Sequence, residues 1–229
     1  MSVIAANLQA VENDIAAAAQ QAGREPSAVT LLAVSKTVPA ERVREAFGAG
    51  QHAFGENYVQ EGLDKIAALG DLRGDIQWHF IGPLQSNKTR PVAEQFDWVH
   101  AIDRLKIAER LSAQRPAGMA PLQVCIQVNI SREDTKSGVP PEDVLALAQA
   151  IAALPNLRLR GLMAIPAPAE DPVAQRLPFA ALRGLLDQLR QSGLQVDTLS
   201  MGMSADMNAA IAEGATLVRI GTAIFGARH

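Results

Sequence analysis

The feature that most constrains this chain is a repeat of pattern rather than of sequence. Short β-branched or apolar runs alternate with longer stretches whose apolar residues recur at helical spacing. The runs at 30–36, 53–57, 76–82, 98–103, 122–130, 157–165, 198–203 and 217–225 read as eight strands. Between them, helices are predicted to open at Pro39, Tyr58, Asn87, Arg104, Pro140, Pro172 and Ala205, several with Pro near the first turn or an early acidic residue. An Ala-rich amphipathic helix over 3–22 precedes the first strand. Crossover helices make successive strands parallel, and eight such units in 229 residues match a (β/α)8 TIM barrel near its lower size limit. An open doubly wound sheet competes, but it usually places a Gly-rich turn after an early strand, and Val34-Ser35-Lys36-Thr37 has no glycine. No linker or shift in composition divides the chain, so residues 1–229 are expected to form one domain with one core.

Composition removes several function classes. With 21 Lys+Arg against 24 Asp+Glu the net charge is −3, which leaves no basic excess for a phosphodiester backbone, so a general nucleic-acid binder is not expected. Aromatic content of 4% argues against an all-β sandwich. The single cysteine, Cys125, lies in an apolar run where a buried inert thiol is expected, in keeping with a reducing cytoplasm. The N-terminus lacks a basic leader and no apolar stretch approaches membrane-spanning length, so export and membrane insertion are not expected. Four His and one Cys give no metal-ligand spacing, and neither a G-x-S-x-G elbow nor a G-x-x-x-x-G-K-[ST] loop occurs.

In such a barrel chemistry collects where strands end, at the C-terminal rim. That filter selects Lys36, Asn57, His79 with Gly82, Asp103, Asn129, Met163, the segment 200–204 and the segment 219–222. Lys36 closes the run Leu31-Leu32-Ala33-Val34-Ser35, so its amine projects from a desolvated wall, where burial favours the neutral form that attacks carbonyls. A strand-end lysine reaching back to water is the plainer alternative. Ser200-Met201-Gly202-Met203-Ser204 runs from strand through glycine into a helix and suits an anion, although Ser204 also reads as a simple helix N-cap. Gly221-Thr222 on the last strand supports the same anion site or is a strand kink. Arg219, two residues earlier, is read as facing the barrel interior, where it pairs with a rim carboxylate or meets a ligand. His79 within Trp78-His79-Phe80-Ile81-Gly82 reads as a satisfied interior histidine.

Five blocks run in order: Ala33-Val34-Ser35-Lys36, Phe54-Gly55-Glu56-Asn57-Tyr58-Val59-Gln60-Glu61, Trp78-His79-Phe80-Ile81-Gly82-Pro83-Leu84-Gln85-Ser86-Asn87-Lys88, Leu199-Ser200-Met201-Gly202-Met203-Ser204 and Arg219-Ile220-Gly221-Thr222-Ala223-Ile224-Phe225-Gly226. Together they closely resemble the pyridoxal phosphate homeostasis protein family, a single-domain relative of the alanine racemase N-terminal barrel. The resemblance implies that Lys36 forms an imine with pyridoxal 5′-phosphate, that Ser200, Ser204, Gly221 and Thr222 surround the phosphate, that Arg219 faces the pyridine nitrogen and that Asn57 meets the ring. Lys136 falls where the family carries a basic loop residue near the cofactor mouth, but a solvated loop lysine is the slightly better reading, and Lys136 is assigned no catalytic role.

Pyridoxal phosphate drives amino-acid chemistry best when its ring nitrogen is protonated beside a carboxylate. An arginine there donates instead and leaves the ring a shallow electron sink. Racemases with that arginine add a tyrosine from a second domain or subunit, whereas this chain has one tyrosine, Tyr58, at a helix start. The expectation is therefore a cytoplasmic, monomeric, non-catalytic carrier that binds pyridoxal phosphate and passes it to apo forms of enzymes that use it. The alternatives are a racemase or lyase working through the same lysine and, further off, a Schiff-base aldolase on a phosphorylated sugar.

Overall fold

The computed structural model describes residues 2–133 and 137–226. Lys136 lies outside them. Eight strands pair in sequence order into a closed parallel barrel: β1 (Thr30–Val34), β2 (Ala53–Glu56), β3 (Gln77–Phe80), β4 (Trp98–Ile102), β5 (Leu122–Gln127), β6 (Leu157–Met163), β7 (Thr198–Ser200) and β8 (Leu217–Ile220), with β8 returning to β1. Helices α2 (Ala40–Gly48), α3 (Val59–Ala68), α4 (Thr89–Gln95), α5 (Leu105–Gln114), α6 (Val144–Ala152), α7 (Pro172–Gln191) and α8 (Met207–Ala212) fill the connections, α1 (Val3–Gln21) precedes the barrel and α9 (Thr222–Phe225) follows it. Among the described residues no helix is long and apolar enough to cross a membrane.

Local chemistry explains these elements. In α1, Ile4, Leu8, Val11, Ile15 and Ala18 recur at helical spacing and are buried, while Ser2 caps the start by accepting from the Ala5 N–H at 3.2 Å. In α7, Pro172 occupies the first turn, where its missing N–H costs nothing, and Asp171 accepts from the Ala174 N–H at 2.7 Å. The main core lies between the barrel and the helices. A separate cluster of Leu32, Ala53, Ile81 and Leu217, with Val34, occupies inward-facing positions.

Two expected boundaries need correction. The last strand stops at Ile220 rather than at 225, because the chain turns at Gly221 into α9. That turn is held from outside: Asn7 Nδ2 donates to the Ile224 carbonyl at 2.9 Å and an Arg42 Nη donates to the Phe225 carbonyl at 2.6 Å, satisfying the end of α9. Gly221-Thr222 is thus the start of a helix, not a kink in a strand. The helix expected to open at Ala205 begins at Met207 with Asp206 as its flanking residue, so Ser204 is not its N-cap.

Candidate functional site at the barrel mouth

Register places the candidate residues without reference to any ligand. Val34 pairs with Gly55 across β1 and β2, and Leu32 pairs with Arg219 across β1 and β8. Lys36 and Asn57 each follow the paired Val34 and Gly55 by two residues, just past the ends of neighbouring strands, and Gly221 lies beside Val34. A Cβ built on Gly221 would sit 3.0 Å from the Val34 carbonyl oxygen, so a larger residue would have to push that carbonyl back by a few tenths of an ångström. Lys36, Thr37, Arg42, Gly221 and Thr222 line one cavity of ≈ 320 Å³, within the range of small-molecule sites. Lys36 is half-buried there. Asn57 Oδ1 is buried and meets no hydrogen-bond partner among the described residues. A Cβ on Gly82 would come 2.1 Å from the Asn57 carbonyl oxygen, so the bare glycine is what lets the chain after β3 pack against Asn57.

Below this cavity a polar chain runs through the barrel. Arg219, nearly fully buried, donates through Nη1 to the Ser200 carbonyl at 2.6 Å and to Ser200 Oγ at 2.8 Å, and through Nη2 to the Ala164 carbonyl at 2.9 Å. Ser200 Oγ lies 2.8 Å from His100 Nδ1, and His100 Nε2 lies 2.9 Å from His79 Nδ1. Burial pushes the Arg219 guanidinium down to about 10, with Asp206 opposing, so it remains a cation at neutral pH. Burial holds His79 down to about 3 and His100 well below the usual histidine range, with His79 and Arg219 lowering His100 further. Both rings are therefore neutral. With Arg219 donating to Ser200 Oγ, the arrangement that also uses the hydroxyl proton has Ser200 donating to His100 Nδ1 and His100 Nε2–H donating to His79 Nδ1.

A second cluster sits behind the sheet. Glu56, fully buried at the end of β2, accepts from Ser35 Oγ at 2.5 Å and from Lys65 Nζ at 2.8 Å. Burial raises the Glu56 carboxyl above its ordinary value, against the pull of Lys65 and Ser35. Lys65 also donates to the Ser35 carbonyl at 2.5 Å and to Glu61 Oε1 at 2.6 Å, and Glu61 accepts from the Thr37 N–H.

The structure thus brings Lys36, Gly221 and Thr222 into one cavity, with Asn57 at the end of the neighbouring strand β2. It does not bring Ser204 there: that residue is exposed and lines a larger groove of ≈ 710 Å³ with Asp14, Arg176 and Asp206. The Ser200 hydroxyl, expected beside an anion, is fully buried and committed to Arg219 and His100. Arg219 is held by neutral oxygens rather than by a rim carboxylate. Asn129 is spent on its own loop, donating to the Glu133 carbonyl at 2.8 Å and accepting from the Glu133 N–H at 3.2 Å. Among the described residues no group of three or more side chains is arranged to hold a metal ion. Sequence reasoning missed Arg42, His100 and the Glu56, Glu61 and Lys65 cluster. Two signals were present: His79 and His100 fall on inward positions of neighbouring strands, and Glu61 and Lys65 are four apart on a helix that must face the sheet.

The sequence model described as "Alanine racemase, N-terminal domain" matches residues 6–229. The chain is 64% identical over 228 residues to the pyridoxal phosphate homeostasis protein of Pseudomonas aeruginosa, spanning 100% of this chain and 97% of that one. Its identity to the protein of that name from Escherichia coli K12 is 57% over 229 residues, spanning 100% and 98%. Among solved structures it resembles PipY of Synechococcus elongatus PCC7942 with PLP bound, at a TM-score of 0.85 and 39% identity over 97% of this chain and 100% of that one. Alanine racemase from Corynebacterium glutamicum, 20% identical with a TM-score of 0.68 over 99% of this chain and 61% of that one, shares the fold.

Proposed function

The chain belongs to the pyridoxal phosphate homeostasis protein family, built on the alanine racemase N-terminal barrel, and we propose that it holds pyridoxal phosphate on Lys36 and returns it without turning over a substrate. Binding of the cofactor in the service of its homeostasis is the role of the family. The observation that carries the site assignment is the convergence of Lys36, Gly221 and Thr222 on one cavity.

The residues present fit the group. When bound, pyridoxal phosphate supplies an aldehyde, an aromatic ring with a basic nitrogen, and a dianionic tail. Lys36 offers a half-buried amine, the group that attacks an aldehyde once it is neutral. Thr222 offers a hydroxyl, and Arg42 adds positive charge to the same cavity. Asn57, just past the end of the neighbouring strand, presents a buried amide oxygen with no partner among the described residues. Arg219, held rigidly by Ser200 and Ala164, is a donor only: it can offer an N–H to a ring nitrogen and cannot share a proton with it. Ser204 is a candidate for the outer edge of the anion site from the loop after β7.

The same residues argue for holding over turnover. Exchange of an α-proton needs a base that is close to the cavity and titrates near neutrality. Tyr58, the chain's one tyrosine, is 59% exposed at the start of α3, and both neutral histidines are buried below the mouth. The proposal extends to the whole chain acting as one cofactor-binding domain, in the cytoplasm, as a monomer that serves apo forms of enzymes using pyridoxal phosphate.

Two measurements test this reading. Protein mixed with pyridoxal phosphate is expected to gain a visible absorption band that Lys36→Ala lacks, and a band of equal strength in that variant would contradict the assignment. Incubation with alanine or serine in deuterated water is expected to leave the α-proton in place; exchange at about one per second or faster, an ordinary enzymatic rate, would establish turnover.

A further inference from the structure

Thr37, the residue after Lys36, has φ = 63°. A β-branched residue in the left-handed region is strained and persists only where its surroundings hold it. What holds it is visible: the Thr37 N–H donates to Glu61 of α3, and Glu61 is fixed in turn by Lys65 at 2.6 Å. Lys65 also donates to the Ser35 carbonyl at 2.5 Å and to the buried Glu56 at 2.8 Å, while Ser35 Oγ donates to Glu56 at 2.5 Å. The peptide group on each side of Lys36 is therefore tied to a side chain of α3: the Ser35 carbonyl to Lys65 and the Thr37 N–H to Glu61. Ser35 and Glu56 alternate with Val34 and Gly55 and so face α3 rather than the barrel interior, while Thr37 itself also lines the cavity.

We propose that Glu61, braced by Lys65 and Glu56, is a positioning residue for Lys36: by clamping Thr37 in its left-handed conformation it turns the chain away immediately after the lysine and fixes the direction in which the amine enters the mouth. The inference rests on the reading of Lys36 as the cofactor's anchor. A bland account makes Glu61 and Lys65 an i,i+4 pair that stabilises α3. The two accounts differ on Thr37. Glycine adopts a positive φ at no steric cost, so if the clamp acts on that strain, a glycine at 37 makes Glu61 less necessary.

The experiment is a double-mutant cycle on the full chain, read by the dissociation constant for pyridoxal phosphate from its visible band and by the rate at which borohydride traps the cofactor on Lys36. In the Thr37 background, Glu61→Ala is expected to weaken binding and slow trapping by about tenfold. In the Thr37→Gly background most of that factor is expected to vanish. Circular dichroism of the apo protein checks folding. Should Glu61→Ala fail to fold, Glu61→Gln replaces it, since its amide oxygen still accepts from the Thr37 N–H; it is expected to retain binding close to wild type. An equal loss in both backgrounds, no loss from Glu61→Ala, or full loss from a folded Glu61→Gln would overturn the clamp. Failure of the wild-type protein itself to be trapped on Lys36 would instead remove the reading beneath it.

Discussion

At the scale of single residues, the barrel interior is organised around neutrality. His79 and His100 are buried where their charged forms cannot be solvated, and they are joined to a permanent cation through Ser200. This has a definite sign in stability. An unfolded histidine takes up a proton near 6.5, whereas His79 in the fold resists until about 3. The unfolded state thus binds more protons across that window, and each such histidine lowers stability by up to about 1.4 kcal/mol per pH unit as pH falls below 6.5. Glu56 acts oppositely: its raised carboxyl contributes stability below the unfolded carboxylate value that is lost as pH rises through the folded one. Comparing wild type with His79→Gln cancels the Glu56 contribution. Urea midpoints between pH 7 and pH 5 are expected to fall less steeply in the variant, and parallel slopes would count against a neutral His79.

The proposed anion end of the cavity gives a second residue-scale prediction. Thr222 lines the cavity that holds Lys36, whereas Ser204 lines a separate groove. Thr222→Val is therefore expected to weaken pyridoxal phosphate by more than Ser204→Ala, by about tenfold if one hydrogen bond to a charged group is lost. Titration of the visible band measures both, and the reverse order would move the phosphate toward the loop after β7. The meeting of Lys36, Gly221 and Thr222 at one cavity was legible in the sequence, because residues that follow strands gather at one rim in this fold. That Ser200 bonds Arg219 and His100 was not legible, because His100 lies a hundred positions away in the chain and sequence position alone does not say which hydroxyls the interior will claim.

At the scale of elements, strands were easier to find than their ends. Apolar β-branched runs mark where a chain can pair, and all eight runs do pair. The run at 217–225 stays apolar through Ile224 and Phe225 because α9 is buried too, so composition gave no sign of the switch at Gly221; side chains of α1 and α2 enforce it. Close approach between elements is similarly silent in sequence. Gly82 is required by the Asn57 carbonyl, so Gly82→Ala must displace Asn57 or the loop after β3. Its expected cost is about 1–3 kcal/mol with weaker cofactor binding. Denaturant unfolding and visible titration check the two effects, and an unperturbed variant would show that the contact is not tight.

At the scale of the whole molecule, α1 completes the wrapping of the barrel by packing against α8, α9 and α2. Leu8 lies at the centre of its buried stripe. Leu8→Ala is expected to cost about 2–5 kcal/mol, and because Asn7 on the same helix holds α9, which begins beside the anion end, loss of stability and loss of binding should appear together. Urea unfolding with and without pyridoxal phosphate separates the two effects, and intact binding in a strongly destabilised variant would detach α1 from the site.

The account as a whole requires that one of the chain's five lysines, and a particular one, carries the cofactor. Peptide mapping of the protein after loading with pyridoxal phosphate and borohydride reduction tests this directly. The predicted result is a single pyridoxyl-phosphate adduct on the peptide containing Lys36. An adduct confined to Lys65, Lys88, Lys106 or Lys136, or none in a protein that shows the visible band, would contradict it.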